Sequence, residues 1–223
     1  MSNHLSEMKK TSSFSEFDKT VLKQVLPKNK GKKQLFQNPY LEQLTRTHIL
    51  VPIGIFVSFA YFLLYYGSVY KDLSWGLLAG LFGIGMLVFT FVEYLVHRYV
   101  FHLFADTPQK ANFQYKFHGV HHEYPKDKDR LAMPPILSAL IICLLFGFYY
   151  LVMGNLAYGF TAGFAVGYAS YLGVHYMVHA FPPPKNVFKL LWINHGIHHY
   201  KDEHVAFGVS SPLWDWIFGT LPR

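Results

Sequence analysis

Four short motifs collect ten of the chain's thirteen histidines. "HRYVFH" carries His97 and His102, "HGVHH" carries His118, His121 and His122, "HYMVH" carries His175 and His179, and "HGIHH" carries His195, His198 and His199. Imidazole is a neutral nitrogen ligand for transition metals, and this density exceeds what polar anchoring of a chain requires. Spacing on a helix sorts the ligands. His175 and His179, four apart, share a face and reach one ion; His118 and His121, three apart, do the same. His121 and His122 diverge by about 100° and His97 and His102 by about 140°, which suits two different ions. Ten nitrogens, evenly divided, fill two metal sites. Histidine alone does not choose between iron and zinc. His4, His48 and His204 stand outside the motifs and read as polar anchors, although His204 follows the last motif closely enough for a supporting role.

A ligating imidazole needs its other N–H held by an acceptor. Glu93 lies four residues before His97, on the same helix face, and an acid close to an apolar run points to function. Asp202 and Asp215 are further acceptor candidates. After His179 the run "FPPP" stops a helix and turns the chain toward His195.

These motifs must be positioned by apolar elements. Hydrophobic residues make up 52% of the 223 residues and charged residues only 15%. Four apolar runs, from Ile49, from Trp75 to Val96, from Pro134, and from Leu156 to Val174, each have about the 20 residues a helix needs to cross a bilayer. Glycines in them (Gly76, Gly80, Gly83, Gly159, Gly163, Gly167) let helices approach closely. The links near 71 and 154 are short and nearly uncharged. All Lys and Arg except Lys71 lie in residues 1–48, in 97–133 or after Ala180, so the positive-inside rule puts these three regions, and both termini, in the cytoplasm. The expected fold is all-α and membrane-integral: four transmembrane helices and a helical cytosolic cap holding a histidine-rich di-metal site. Residues 1–48 read as a basic cytoplasmic arm near anionic lipid, and residues 49–223 as the membrane domain. The net charge of +7 is thus spent at a membrane surface, and no nucleic-acid partner is expected. The lone Cys143 excludes an internal disulfide and a cysteine-based zinc site.

On these residues the chain resembles the fatty acid hydroxylase/sterol desaturase superfamily of membrane di-metal enzymes. The spacing HxxxxH, HxxHH, HxxxH, HxxHH carries the resemblance, and "HHYKDEHVAFGVSSPLWDWIFGT" is similar to the fatty acid 2-hydroxylase branch. The resemblance implies a di-iron centre that uses O2, with zinc able to occupy it in purified protein. It implies that His97, His122, His195, His198 and His199 hold one ion, and His102, His118, His121, His175 and His179 the other. Relatives with a cytochrome b5-like domain carry it ahead of the first span. The arm here is too short for one, so electrons are expected from a separate donor protein.

The expected reaction is hydroxylation of a fatty acyl chain, at C2, as free acid, thioester or sphingolipid-linked chain, entering from the bilayer. Lys126, Arg130 and Lys185 are candidates to hold its head group. Sterol desaturation or oxidation and carotenoid hydroxylation are the neighbouring alternatives. A metal transporter is a remote one, because its ligands belong near the bilayer midplane. The short form points to a bacterial inner membrane, with the endoplasmic reticulum as the other setting.

Overall fold

The computed structural model describes residues 26–223, so the first half of the basic arm, including His4, lies outside the described residues. Among the described residues nine α-helices follow in order: α1 (Pro39–Leu44), α2 (Leu50–Tyr70), α3 (Trp75–Val96), α4 (Pro108–Gln114), α5 (Val120–Glu123), α6 (Pro135–Met153), α7 (Ala157–Ala180), α8 (Lys189–Tyr200) and α9 (Leu213–Phe218). Two π-helical turns interrupt them, His97–Phe101 after α3 and Tyr115–Gly119 between α4 and α5.

Local chemistry sets the boundaries. Ser74 caps α3 by accepting the Leu77 amide, and Asn38 and Thr107 cap α1 and α4, each with proline at the first helical position. The expected run to Val174 extends to Ala180, so His175 and His179 ride on α7 itself, which ends where the prolines begin.

Among the described residues three helical runs can cross a membrane by length and composition: Leu50–Tyr70, Trp75–Phe101 and Lys128–Ala180. This differs from the expected count of four, because the last run takes α6 and α7 together. It is 53 residues long and breaks at Gly154, whose φ of 57° and ψ of −135° depart from the helical region. The molecule is therefore an all-α membrane protein with several long apolar helices.

The central element is α7, buried along most of its length against α2, α3 and α6. Phe56, Ala60 and Leu63 of α2, Phe89 of α3 and Ile142 of α6 meet Ala162, Phe164 and Ala165 of α7 in one core. Close approach of α3 and α7 depends on Gly85 and Gly163. A Cβ at either would collide with a carbonyl oxygen of the facing helix, Phe160 or Phe82. Gly76, Gly80 and Gly83 instead face open space, contrary to the expectation that they mediate packing. Apolar side chains also cover the outer faces; Leu151 is 86% exposed. A helix apolar all round is what a lipid solvent selects.

The described part of the arm is docked on the segment 120–130, here termed the cap. The Lys28 amide donates to the Glu123 carbonyl (2.6 Å) and the Thr47 amide to the Asp129 carbonyl (2.9 Å). Lys28 pairs with Glu123 and Lys32 with Asp129, each at 2.5 Å. Residues 26–47 thus form a strap over the cap.

Candidate metal centre

The histidines come from four places: the end of α3 and its π-helical turn, the second π-helical turn with α5, the last turns of α7, and α8. They gather into two groups. His97, His102, His118, His122 and His198 form one, and His121, His175, His179, His195 and His199 the other. Within each group every imidazole offers a nitrogen within 4.8 Å of all the others, and nine of the ten are buried, His102 being intermediate. The groups adjoin: the His122 and His199 rings stack with centroids 4.2 Å apart.

This sorting corrects the implied partition. His102 and His118 join His97, and His195 and His199 join His121, His175 and His179. The separation of His121 from His122 and the pairing of His175 with His179 stand as the helix geometry gave them. The reason for the difference is the π-helical turn. There the His102 amide bonds to the His97 carbonyl, five residues back, at 3.1 Å. A widened turn brings residues five apart nearly into line, whereas an α-helix would splay them. In the second π-helical segment His118 faces His122 rather than His121, with Nε2 atoms 3.0 Å apart.

The residues fit metal ions. Nε2–Nε2 separations are 3.0 Å for His97–His118 and His102–His198. In the other group they are 2.9 Å for His121–His175, 3.2 Å for His175–His179 and 2.8 Å for His179–His195. Two nitrogens each about 2.1 Å from a common ion and at right angles lie about 3 Å apart. The tautomers point the same way. His97 Nδ1 donates to the Phe207 carbonyl (2.5 Å), His198 Nδ1 to Val205 (2.7 Å) and His175 Nδ1 to Leu131 (3.3 Å). Each donation leaves the Nε2 lone pair directed into its group. Both ring nitrogens of His199 are buried with no hydrogen-bond partner. Burial, then the neighbouring imidazoles, holds His118, His121, His122, His195, His198 and His199 well below the ordinary imidazole pKa. They are neutral, as ligands must be.

The supporting groups differ from expectation. Among the described residues Glu93 makes no hydrogen bond to a ligand ring. Its carboxylate accepts the Val209 amide (2.8 Å), the Ser210 amide (2.9 Å) and the Ser210 hydroxyl. Sharing a face with His97 fixed its side of the helix, while its carboxylate reaches onward to the loop. Asp215, fully buried, accepts the Phe207 amide (2.8 Å), the Gly208 amide (2.7 Å) and the Thr220 hydroxyl (2.7 Å). Burial raises its pKa, opposed by these donors. The two acids clamp the loop whose Val205 and Phe207 carbonyls orient His198 and His97. That loop carries Ala206 at φ 56°, a conformation held by surrounding contacts. Asp202 only caps the His204 amide (2.9 Å), and His204 is exposed. Glu203, which the sequence reading passed over, lies 3.8 Å from His102 Nδ1. Three acceptors, Leu131, Val205 and Phe207, act through backbone oxygens, for which the residue type carries no signal.

A cavity of about 410 Å³ reaches His97, His118, His121 and His175. Its other walls are mostly apolar, with Phe56, Ile142, Leu145 and Phe164 contributed by α2, α6 and α7. Of the three head-group candidates, only Arg130 lines it. Arg130 is already paired with Glu42 and lies 3.8 Å from Asp127. Lys126 donates to the His179 carbonyl at 2.8 Å, and Lys185 is exposed in the proline loop.

The chain is similar to known proteins. The family described as "Fatty acid hydroxylase" matches residues 82–220. The chain is 30% identical to mouse fatty acid 2-hydroxylase, over 84% of this chain and 56% of that protein. It is 31% identical to the Arabidopsis thaliana dihydroceramide fatty acyl 2-hydroxylase FAH2, over 85% of this chain and 80% of that one. The chain therefore spans little more than half the length of the mouse relative. A solved structure of full-length scs7p, in which only the hydroxylase domain is visible, superposes with a TM-score of 0.79 at 29% identity, covering 92% of this chain and 82% of that one. With its four histidine motifs gathered into two adjoining ligand sets, the chain belongs to the fatty acid hydroxylase family.

Proposed function

We propose that the protein is a membrane-bound di-iron monooxygenase that hydroxylates a fatty acyl chain at C2. The observation that carries this reading is a largely apolar cavity that reaches four of the grouped histidines. The ten histidines would hold two iron ions, with zinc able to take their place in purified protein. Those ions, when bound, supply the activation of O2 and the insertion of one oxygen atom into a C–H bond, with electrons from a separate donor. The chain's own residues do the rest. Phe56, Ile142, Leu145 and Phe164 bind the acyl tail and exclude water. The imidazoles of His97, His175 and His198, locked by carbonyl acceptors, keep their ligand nitrogens fixed as substrate enters from the bilayer. Relatives whose names specify fatty acid 2-hydroxylation or dihydroceramide fatty acyl 2-hydroxylation support the choice of position.

The deciding experiment supplies labelled O2 to membranes containing the protein, an electron donor and acyl substrate. The product should gain one labelled oxygen, at C2. Label derived from water overturns the reading, and an alkene without added oxygen replaces it with desaturation.

We also propose that α6 and α7 cross separately, giving four crossings with both termini on the histidine side. Cysteines placed at Asp72 and Asn155 should then react only from the side opposite the histidines. Reaction of either from the cytoplasm would exclude that topology.

A further inference from the structure

We propose that Lys116 is a specificity residue that binds an anionic head group on the acyl substrate. The inference rests on the hydroxylase reading for its substrate and deepens it, since it separates charged acyl carriers from neutral ones. Three charged side chains other than histidine line the cavity: Glu93, Arg130 and Lys116. Glu93 is saturated by the Val209 and Ser210 donors. Arg130 is neutralised by Glu42, with Asp127 beside it. Among the described residues, Lys116 has no carboxylate within ion-pair distance and no hydrogen-bond partner for its ammonium. Its ammonium nitrogen lies over the Phe36 ring of the strap, 5.2 Å from the ring centroid.

The placement suits attack beside a head group. Lys116 lies in the same π-helical turn as His118, and both face the cavity. For oxygen to reach C2, the carbonyl carbon must lie one bond from the attacked carbon, so the head group has to stop close to the histidines. The tail then runs away from Lys116 toward Phe56, Leu145 and Phe164. A half-buried ammonium without a counter-charge, facing a largely apolar chamber, is best matched by a carboxylate or phosphate, through a charge-assisted hydrogen bond. A neutral amide-linked head leaves it without a counter-charge. Phe36 holds the ammonium in place from the strap side.

The test measures equilibrium binding of tritiated palmitate, palmitoyl-CoA and a palmitoyl ceramide to the full-length protein in nanodiscs, without O2 or reductant. Lys116→Gln should weaken palmitate, palmitoyl-CoA or both by about tenfold or more. Lys116→Arg should restore the affinity, and ceramide binding should change little in either variant. An effect on palmitate alone identifies a carboxylate, and one on palmitoyl-CoA alone a phosphate. The proposal is overturned if Lys116→Gln leaves both anions unaffected, if ceramide weakens equally, or if the wild-type protein binds only ceramide. Turnover in the presence of O2 then reads the hydroxylase assignment separately: an anion-selective protein that forms no 2-hydroxy product would refute that assignment and leave the role of Lys116 intact.

Discussion

An imidazole binds a metal through one nitrogen, and the partner of the other nitrogen decides which one is free. At His97 and His198 that partner is a backbone carbonyl on the loop 205–210, and the loop is held in place by Glu93 and Asp215. Glu93 therefore acts on the metal site at one remove. Replacing it with alanine strips the Val209 and Ser210 amides and the Ser210 hydroxyl of their acceptor inside the protein. Each buried donor left unsatisfied costs about 1–3 kcal/mol. Glu93→Ala should lower the thermal unfolding midpoint and raise the bound-metal loss rate, whereas Glu93→Gln, which keeps one carbonyl acceptor, should lose less. Equal stability and metal retention in Glu93→Ala and wild type, measured by thermal melts and metal analysis, would refute the clamp. The ten grouped histidines were legible because their types and spacing are improbable without a shared task. Glu93 was noticed as an acid at a membrane boundary, but its target was misread, since a helix face gives direction only to within a turn. The carbonyls of Leu131, Val205 and Phe207 were illegible because every residue carries one.

Helix geometry governs the next scale. The long apolar runs were readable from hydropathy, as was the proline stop after α7. The π-helical turns were not, and they decide which histidines meet. A helical wheel assumes a constant rotation per residue, and His97–Phe101 departs from it through the bond from the His102 amide to the His97 carbonyl. Inter-helix distance was only half readable. All six glycines singled out from the sequence were equivalent in composition, yet only Gly159, Gly163 and Gly167 meet a neighbour closely. Which side of a uniformly apolar helix faces protein and which faces lipid leaves no mark in hydropathy. Gly163→Ala would drive a methyl group into the Phe82 carbonyl. The two helices would have to separate, at about 1–3 kcal/mol or more, since overpacking a close contact is destabilising. Because α3 runs directly into the turn that carries His97 and α7 carries His175 and His179, the same shift should pull the ligand groups apart and reduce bound metal. Gly80→Ala, in open space, should leave both stability and metal content unchanged. A Gly163→Ala protein that melts with wild type would show that the α3–α7 contact is looser than described.

Across the whole molecule, the strap 26–47 joins the arm to the cavity. Leu35, Phe36 and Thr45 line the chamber, and the strap lies outside the residues matched by the family. Its attachments are polar pairs far apart in sequence, which no local pattern announces; the basic residues there read instead as a lipid-facing arm. Glu42 is the hub. Its carboxylate accepts the Leu35 amide (2.9 Å) and the Phe36 amide (3.2 Å), and pairs with Arg46 (3.2 Å) and with Arg130. Burial works against ionisation of Glu42, but the two amides and Arg130 overcome it and hold the carboxyl down at about 2. The sign follows from linkage. A carboxyl depressed in the folded state contributes fully above its unfolded value of about 4.3, and the contribution is lost as pH falls through the folded value. The strap should therefore stay latched from neutral pH to about 4.5 and loosen progressively between about 4 and 2. Glu42→Gln should unlatch it already at pH 7, because the neutral amide gives up both arginine pairs. Hydrogen exchange at the Leu35 and Phe36 amides reads this directly. Exchange should rise at pH 7 in Glu42→Gln relative to wild type, while amides of α7 stay protected in both. If Glu42→Gln exchanges at the wild-type rate at Leu35 and Phe36, Glu42 is not the hub and the strap is held instead by the Lys28–Glu123 and Lys32–Asp129 pairs.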